Sequence, residues 1–103
     1  MNYGLKKETI NKINTVFSRF PQLETVILYG SRARGNFKPG SDIDLTLKGT
    51  DLDLRLLNKI DIELDDLLLP YTIDLSIYSH IDNPDLLDHI KNIGTVFYSR
   101  HSE

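Results

Sequence analysis

At 103 residues, with 40% hydrophobic and 26% charged residues and a formal net charge of −3, the chain has the make-up of one soluble domain over 1–103 with one modest core. The mild acidity argues against broad nucleic-acid binding; no apolar run approaches the ~20 residues of a membrane span and no signal peptide opens the chain, so a cytoplasmic protein is expected. With no cysteine there is neither a disulfide framework nor a thiolate metal site.

From Leu5 to Phe20, the residues Ile10, Ile13, Val16, Phe17 and Phe20 recur at helical spacing among charged neighbours, which predicts an amphipathic helix ended by Pro21. The next run, ETVILYG, is β-branched and apolar between Pro21 and Gly30 and predicts a strand. SRARG predicts a short helical turn, and NFKPG predicts a loop. DIDLTL alternates strictly, with Ile43, Leu45 and Leu47 on one face and Asp42, Asp44 and Thr46 on the other, the period of a strand. DLDLRLLNKIDIELDDLL predicts a helix whose inner face carries Leu54, Leu57, Ile60, Leu64 and Leu67.

YTIDLSIY alternates again, setting Ile73, Leu75 and Ile77 against Thr72, Asp74, Ser76 and Tyr78. NPDLLDHIKNIG predicts a last helix, with Asn83 as cap, Pro84 at its first position and Gly94 as its stop. TVFY is expected to be a short edge strand or an extended packing segment. The order points to an α+β, α/β-like domain: a small mixed sheet with flanking helices.

The apolar faces of the two alternating strands supply the core, so Asp42, Asp44 and Asp74 must lie on the opposite faces. If the strands are neighbours, three carboxylates converge, and their repulsion is unfavourable unless a cation sits among them. Mg²⁺ takes oxygen ligands from a few carboxylates and from substrate phosphates, and two such ions can clamp both oxygens of an in-line phosphoryl displacement. Upstream, Gly30 and Ser31 fall where strand gives way to helical turn, a place where backbone N–H groups and a hydroxyl suit a phosphate. Arg32 and Arg34 are the nearest guanidinium groups.

GSRARGNFKPGSDIDL resembles the signature of the DNA polymerase beta-like nucleotidyltransferase superfamily: a Gly-Ser pair, a spacer, then Asp-x-Asp between apolar residues. The whole chain is similar to the minimal nucleotidyltransferases, the MNT family. The resemblance implies the polymerase beta-like nucleotidyltransferase fold and transfer of a nucleoside monophosphate from a nucleoside triphosphate to a hydroxyl. It implies Asp42, Asp44 and Asp74 as catalytic ligands of two Mg²⁺ ions, and Gly30 and Ser31 as triphosphate contacts, with ATP as co-substrate. It also implies an antitoxin role beside a small helical HEPN-domain partner encoded nearby, which would be adenylylated on a tyrosine.

Bland readings stand beside these. Arg32 and Arg34 either contact the nucleotide or are ordinary surface cations, and Ser41 either touches phosphate or only shapes its turn. The acidic helix reads as a solvated face, and no metal-ligand spacing links His80, His89 and His101. GSRARG is not a P-loop, since Asn36 and Phe37 replace the Lys-Ser/Thr ending. Two other functions fit the same residues: an antitoxin that neutralises its partner by contact alone, and nucleotidyl transfer to a small molecule or an RNA end.

Overall fold

The computed structural model describes residues 3–100. Helix α1 (Lys7–Ser18) leads into strand β1 (Leu23–Tyr29), which runs directly into the one-turn helix α2 (Gly30–Arg34). A loop returns as β2 (Ile43–Gly49), then α3 (Leu54–Asp65) crosses to β3 (Ile73–Ile77). A 3₁₀ turn at Tyr78–His80, helix α4 (Pro84–Ile93) and strand β4 (Thr95–Ser99) complete the order.

The four strands form one mixed sheet in the order β3-β2-β1-β4. β1 pairs antiparallel with both β2 and β4, whereas β2 and β3 are parallel and joined by the α3 crossover. This is the expected small mixed sheet with flanking helices, and TVFY takes the edge-strand option as β4. Among the described residues no helix is long and apolar enough to cross a membrane.

Strand alternation sorts the side chains. Val26, Leu28, Ile43, Leu45 and Leu47 are fully or almost fully buried, and they pack with Ile13, Val16 and Phe17 of α1 and Ile60 and Leu64 of α3. The other face carries Ile27, Tyr29, Asp44, Thr46 and Ser76, and α2 and α4 meet beside it. Leu54, expected on the inner face of α3, is instead 62% exposed. The helix starts at the Asp53 cap, which accepts from Leu56 N–H, so Leu54 sits on the first turn before the helix reaches the core, and Leu56 packs instead.

Helix α4 begins as its sequence predicts. The Asn83 side chain accepts from the N–H groups of Asp85 and Leu86, at 2.9 and 3.2 Å, with Pro84 at the first helical position. Gly94 ends the helix for a steric reason: a Cβ there would collide with the carbonyl of Ile90 and crowd Ile27. Replacing the cap by Asn83→Ala is expected to cost about 1 kcal/mol of stability, checked by urea denaturation of both proteins.

Candidate active site

The sheet register builds the acidic row. Tyr29 of β1 stands opposite Asp44 of β2, and Asp44 stands opposite Asp74 of β3. Residues paired across a ladder share a face, and neighbouring strands lie about 4.8 Å apart. Asp42 immediately precedes β2, two residues before Asp44, and its charge reaches Asp44. The structure therefore brings together the three carboxylates that alternation had put on one side of two strands. Asp42 and Asp74 are exposed and Asp44 is half-buried.

The electrostatics follow from that crowding. Burial, then the charges of Asp74 and Asp42, raise the Asp44 carboxyl above its ordinary value, with His89 alone pulling the other way. Burial raises the Tyr29 phenol; its bond to Ser76 lowers it, and Asp74 and Asp44 raise it further. One step along the same face, Ser76 stands opposite Thr46 and donates to its buried hydroxyl at 2.9 Å, so hydroxyl groups border the acidic row.

The donor set fits a hard divalent cation. The acids are all oxygen donors, and a Mg²⁺ ion taking oxygens at about 2.1 Å spans about 4 Å between opposite ligands, close to one strand spacing. Among the described residues no three such groups are drawn tightly enough to enclose an ion unaided. A cation there would complete its shell with other oxygens, the usual habit of Mg²⁺ with phosphates.

Gly30 is shaped by Asp44. Its φ of +76° lies in the left-handed region that favours glycine, and a Cβ would collide with the Asp44 carboxylate. The turn therefore presses against the acidic row. Its first amide does not face outward as the sequence suggests: Gly30 N–H donates to His89 Nε2 of α4 at 2.9 Å. Ser31 is half-buried in the same turn, and Arg34 is exposed with its Nη2 3.0 Å from His89 Nδ1.

Arg32 departs from the nucleotide-contact expectation. It is 1% exposed, and its guanidinium donates to the carbonyls of Tyr3 (2.9 Å), Pro39 (3.2 Å) and Ser41 (3.2 Å from Nε, 2.9 Å from Nη2). The rings of Phe37 and Tyr71 lie 5.2 and 5.0 Å from it. With four of its five N–H groups engaged, it is a structural cation that ties the loop before Asp42. Ser41 likewise shapes its turn: its hydroxyl accepts from Lys38 N–H at 2.8 Å, and its N–H donates to the Lys38 carbonyl.

Two clefts, of about 250 and 280 Å³, run along Lys48 and Tyr78 on the same side of the sheet, and none of the three acids lines either one. With Asp42 and Asp74 exposed, the acidic row is reached from solvent. His89 and Tyr29, which the sequence left without roles, are its nearest additions. Tyr29 was readable from its pairing with Asp44 once a hairpin register is assumed; nothing local marks His89, 59 residues from Gly30. His101 lies outside the described residues.

Residues 11–103 match the sequence model of the family described as Polymerase beta, Nucleotidyltransferase. Among proteins of curated function none matches the chain. Solved structures do. A toxin–antitoxin complex with AMP-PNP is 22% identical with a TM-score of 0.69, covering 94% of this chain and 76% of its own. An MNT antitoxin in complex with a tri-AMPylated HEPN toxin of Shewanella oneidensis is 21% identical with a TM-score of 0.67, covering 92% and 73%. A candidate nucleotidyltransferase of Sulfolobus solfataricus is 21% identical with a TM-score of 0.61, covering 93% and 81%. At these identities the likeness carries the fold.

Removing the buried Arg32 side chain empties its place between Phe37 and Tyr71 and breaks four hydrogen bonds to carbonyls of half-buried or exposed residues, so Arg32→Ala is expected to cost about 2–4 kcal/mol. Arg32→Lys should recover only part of it, because an ammonium cannot reach three carbonyls in one plane; denaturant titration of the three proteins checks both. Asp44 gives a test of opposite sign. Its raised folded value means that its contribution to stability is fully present below the ordinary carboxylate range and is lost as pH rises through the folded value. Asp44→Asn should therefore raise the melting temperature of the metal-free protein at neutral pH, with the gain disappearing in acid, as calorimetry at several pH values would show.

Proposed function

The chain belongs to the Polymerase beta nucleotidyltransferase family, and on that footing we propose that it transfers a nucleoside monophosphate, AMP from ATP, to a tyrosine hydroxyl of a HEPN-domain toxin and so acts as its antitoxin. The observation that carries this reading is the in-register pairing of Asp44 with Asp74, with Asp42 two residues away. Three carboxylates on one patch, one of them raised above its ordinary value by burial and then by the charges of the other two, is an arrangement whose cost a divalent cation offsets. The likeness to an antitoxin complexed with a tri-AMPylated HEPN toxin, and to a toxin–antitoxin pair solved with AMP-PNP, supports the donor and the partner.

In this reading residues 1–103 act as one minimal nucleotidyltransferase domain. Asp42, Asp44 and Asp74 would hold two Mg²⁺ ions, which would supply neutralisation of charge on the phosphates and ease loss of the acceptor's proton. The Gly30 turn seats the β- and γ-phosphates against that patch with Ser31 as their donor, and the exposed Arg34 adds a cation. The acceptor oxygen forms a bond to the α-phosphorus, the bond from that phosphorus to the bridging oxygen breaks, and pyrophosphate leaves. Asp74, the exposed member of the pair, takes the acceptor's proton. Catalysis is then mostly positioning and charge, as phosphoryl transfer generally requires. An acidic row reached from solvent suits an acceptor carried on another protein, because a tyrosine on a folded surface can reach exposed carboxylates directly.

Co-expression with the adjacent gene product, followed by intact-mass spectrometry of that product, tests the proposal. The wild type is expected to add one or more AMP units, and Asp42→Asn/Asp44→Asn none. Each single substitution should slow transfer by more than about 100-fold, the upper end of what loss of a mere outer-shell partner costs. An unmodified partner that the wild type still binds and neutralises would replace this reading with neutralisation by contact.

A further inference from the structure

His89 lies in a contact that cannot be a pair of ordinary hydrogen bonds. Gly30 N–H can only donate, so His89 Nε2, 2.9 Å away, must carry its lone pair toward it. A neutral imidazole keeps one N–H, and that proton therefore sits on Nδ1. Nδ1 stands 3.0 Å from Arg34 Nη2, and a guanidinium has donors only. Two N–H donors thus face each other with no acceptor between them. Protonating the ring does not help: both nitrogens would then donate, and the bond from Gly30 would be lost.

The ring itself is held. It extends from the capped helix α4, meets Tyr29 edge-on at 6.2 Å between centroids, and is fixed by the Gly30 amide. Arg34, exposed at the end of α2, is the partner with freedom to swing. With Arg34 swung aside, an anionic oxygen can take the place its nitrogen holds on the line of Nδ1–H, at about 2.8 Å, the usual length of a charge-assisted bond, and receive the guanidinium from the side.

We propose that His89 Nδ1–H and Arg34 form a two-donor clamp for one phosphate oxygen of the polyphosphate tail of a nucleoside triphosphate, beside the Gly30–Ser31 turn. The assignment of that oxygen to a triphosphate rests on the transferase reading above; the donor geometry does not. Gly30 links the two halves of the site, since it packs against Asp44 on one side and fixes the His89 tautomer on the other. A tail seated at the turn would thereby be read by the imidazole on one side of Gly30, with the acids on the other.

The tautomer is tested first by ¹⁵N NMR of the full chain: the clamp requires an unprotonated Nε2 and a protonated Nδ1 on His89, and the reverse tautomer overturns it. Calorimetric titration with inorganic tripolyphosphate and Mg²⁺ tests the binding. His89→Gln keeps an oxygen where Nε2 accepts from Gly30 but removes the Nδ1 donor, and Arg34→Gln removes the other arm. Each is expected to weaken tripolyphosphate binding by about tenfold or more, the equivalent of one charge-assisted hydrogen bond. The double variant should lose less than the product of the two, because both arms grip one oxygen. Wild-type affinity in a folded His89→Gln protein overturns the clamp. Should that variant not fold, the wild-type His89 Nδ1 resonance must respond to tripolyphosphate and lose most of that response in Arg34→Gln; an unchanged response overturns it equally. Neither readout involves transfer. A protein that binds tripolyphosphate through these two side chains but modifies no partner retains the clamp and loses the proposed function, and one that modifies its partner with an inert His89 does the reverse.

Discussion

The register of one parallel strand pair sets everything at the site. Asp44 faces Asp74 because Ile43 faces Ile73 and Leu45 faces Leu75, and that alignment is enforced by the core beneath. A slip of one residue would turn Asp74 into the apolar interior and expose Leu75, so the hydrophobic face fixes the position of the charged one. The crossover helix α3 serves the same end by burying Ile60 and Leu64 over that core. Stability and chemistry are thus two faces of the same strands, and the crowded carboxylates are tolerated because the buried side of each strand leaves them nowhere else to go.

A second constraint holds the loop that delivers Asp42. The segment from Gly35 to Ser41 is rich in turn-forming residues and would be free to wander on its own. Arg32 prevents this by gathering the carbonyls of Pro39 and Ser41 under one guanidinium, flanked by Phe37 and Tyr71. Its cost of burial is offset by four hydrogen bonds to carbonyl dipoles, not by a carboxylate. That choice has an electrostatic benefit, since a fourth acid near the row would raise the repulsion already felt by Asp44.

Much of this was legible in the sequence because strands advertise themselves by a period of two. The faces of β2 and β3, the cap and stop of α4, and the side on which three acids must lie all follow from local pattern. What was not legible depends on distance in the chain. The fate of Arg32 is decided by carbonyls of residues 3, 39 and 41, and the alternation or spacing of GSRARG says nothing about them. His89 belongs to a helix whose pattern predicts only its own boundaries, and its meeting with Gly30 exists only once α4 has packed beside β1. Leu54 misled for a smaller reason: helical periodicity assigns faces, but not the residue at which the helix first reaches the core.

The hydrogen bond from Arg32 to the carbonyl of Tyr3 gives the start of the described chain an influence that its distance from the acids would not suggest. Gly4 adds to it, because a Cβ there would run into the ring of Phe37, the same ring that flanks the guanidinium. The opening residues are therefore part of the scaffolding of the Asp42 loop. A truncation that trims past Tyr3 removes part of that scaffolding, and a protein prepared in that way reports on a loosened loop as much as on its chemistry.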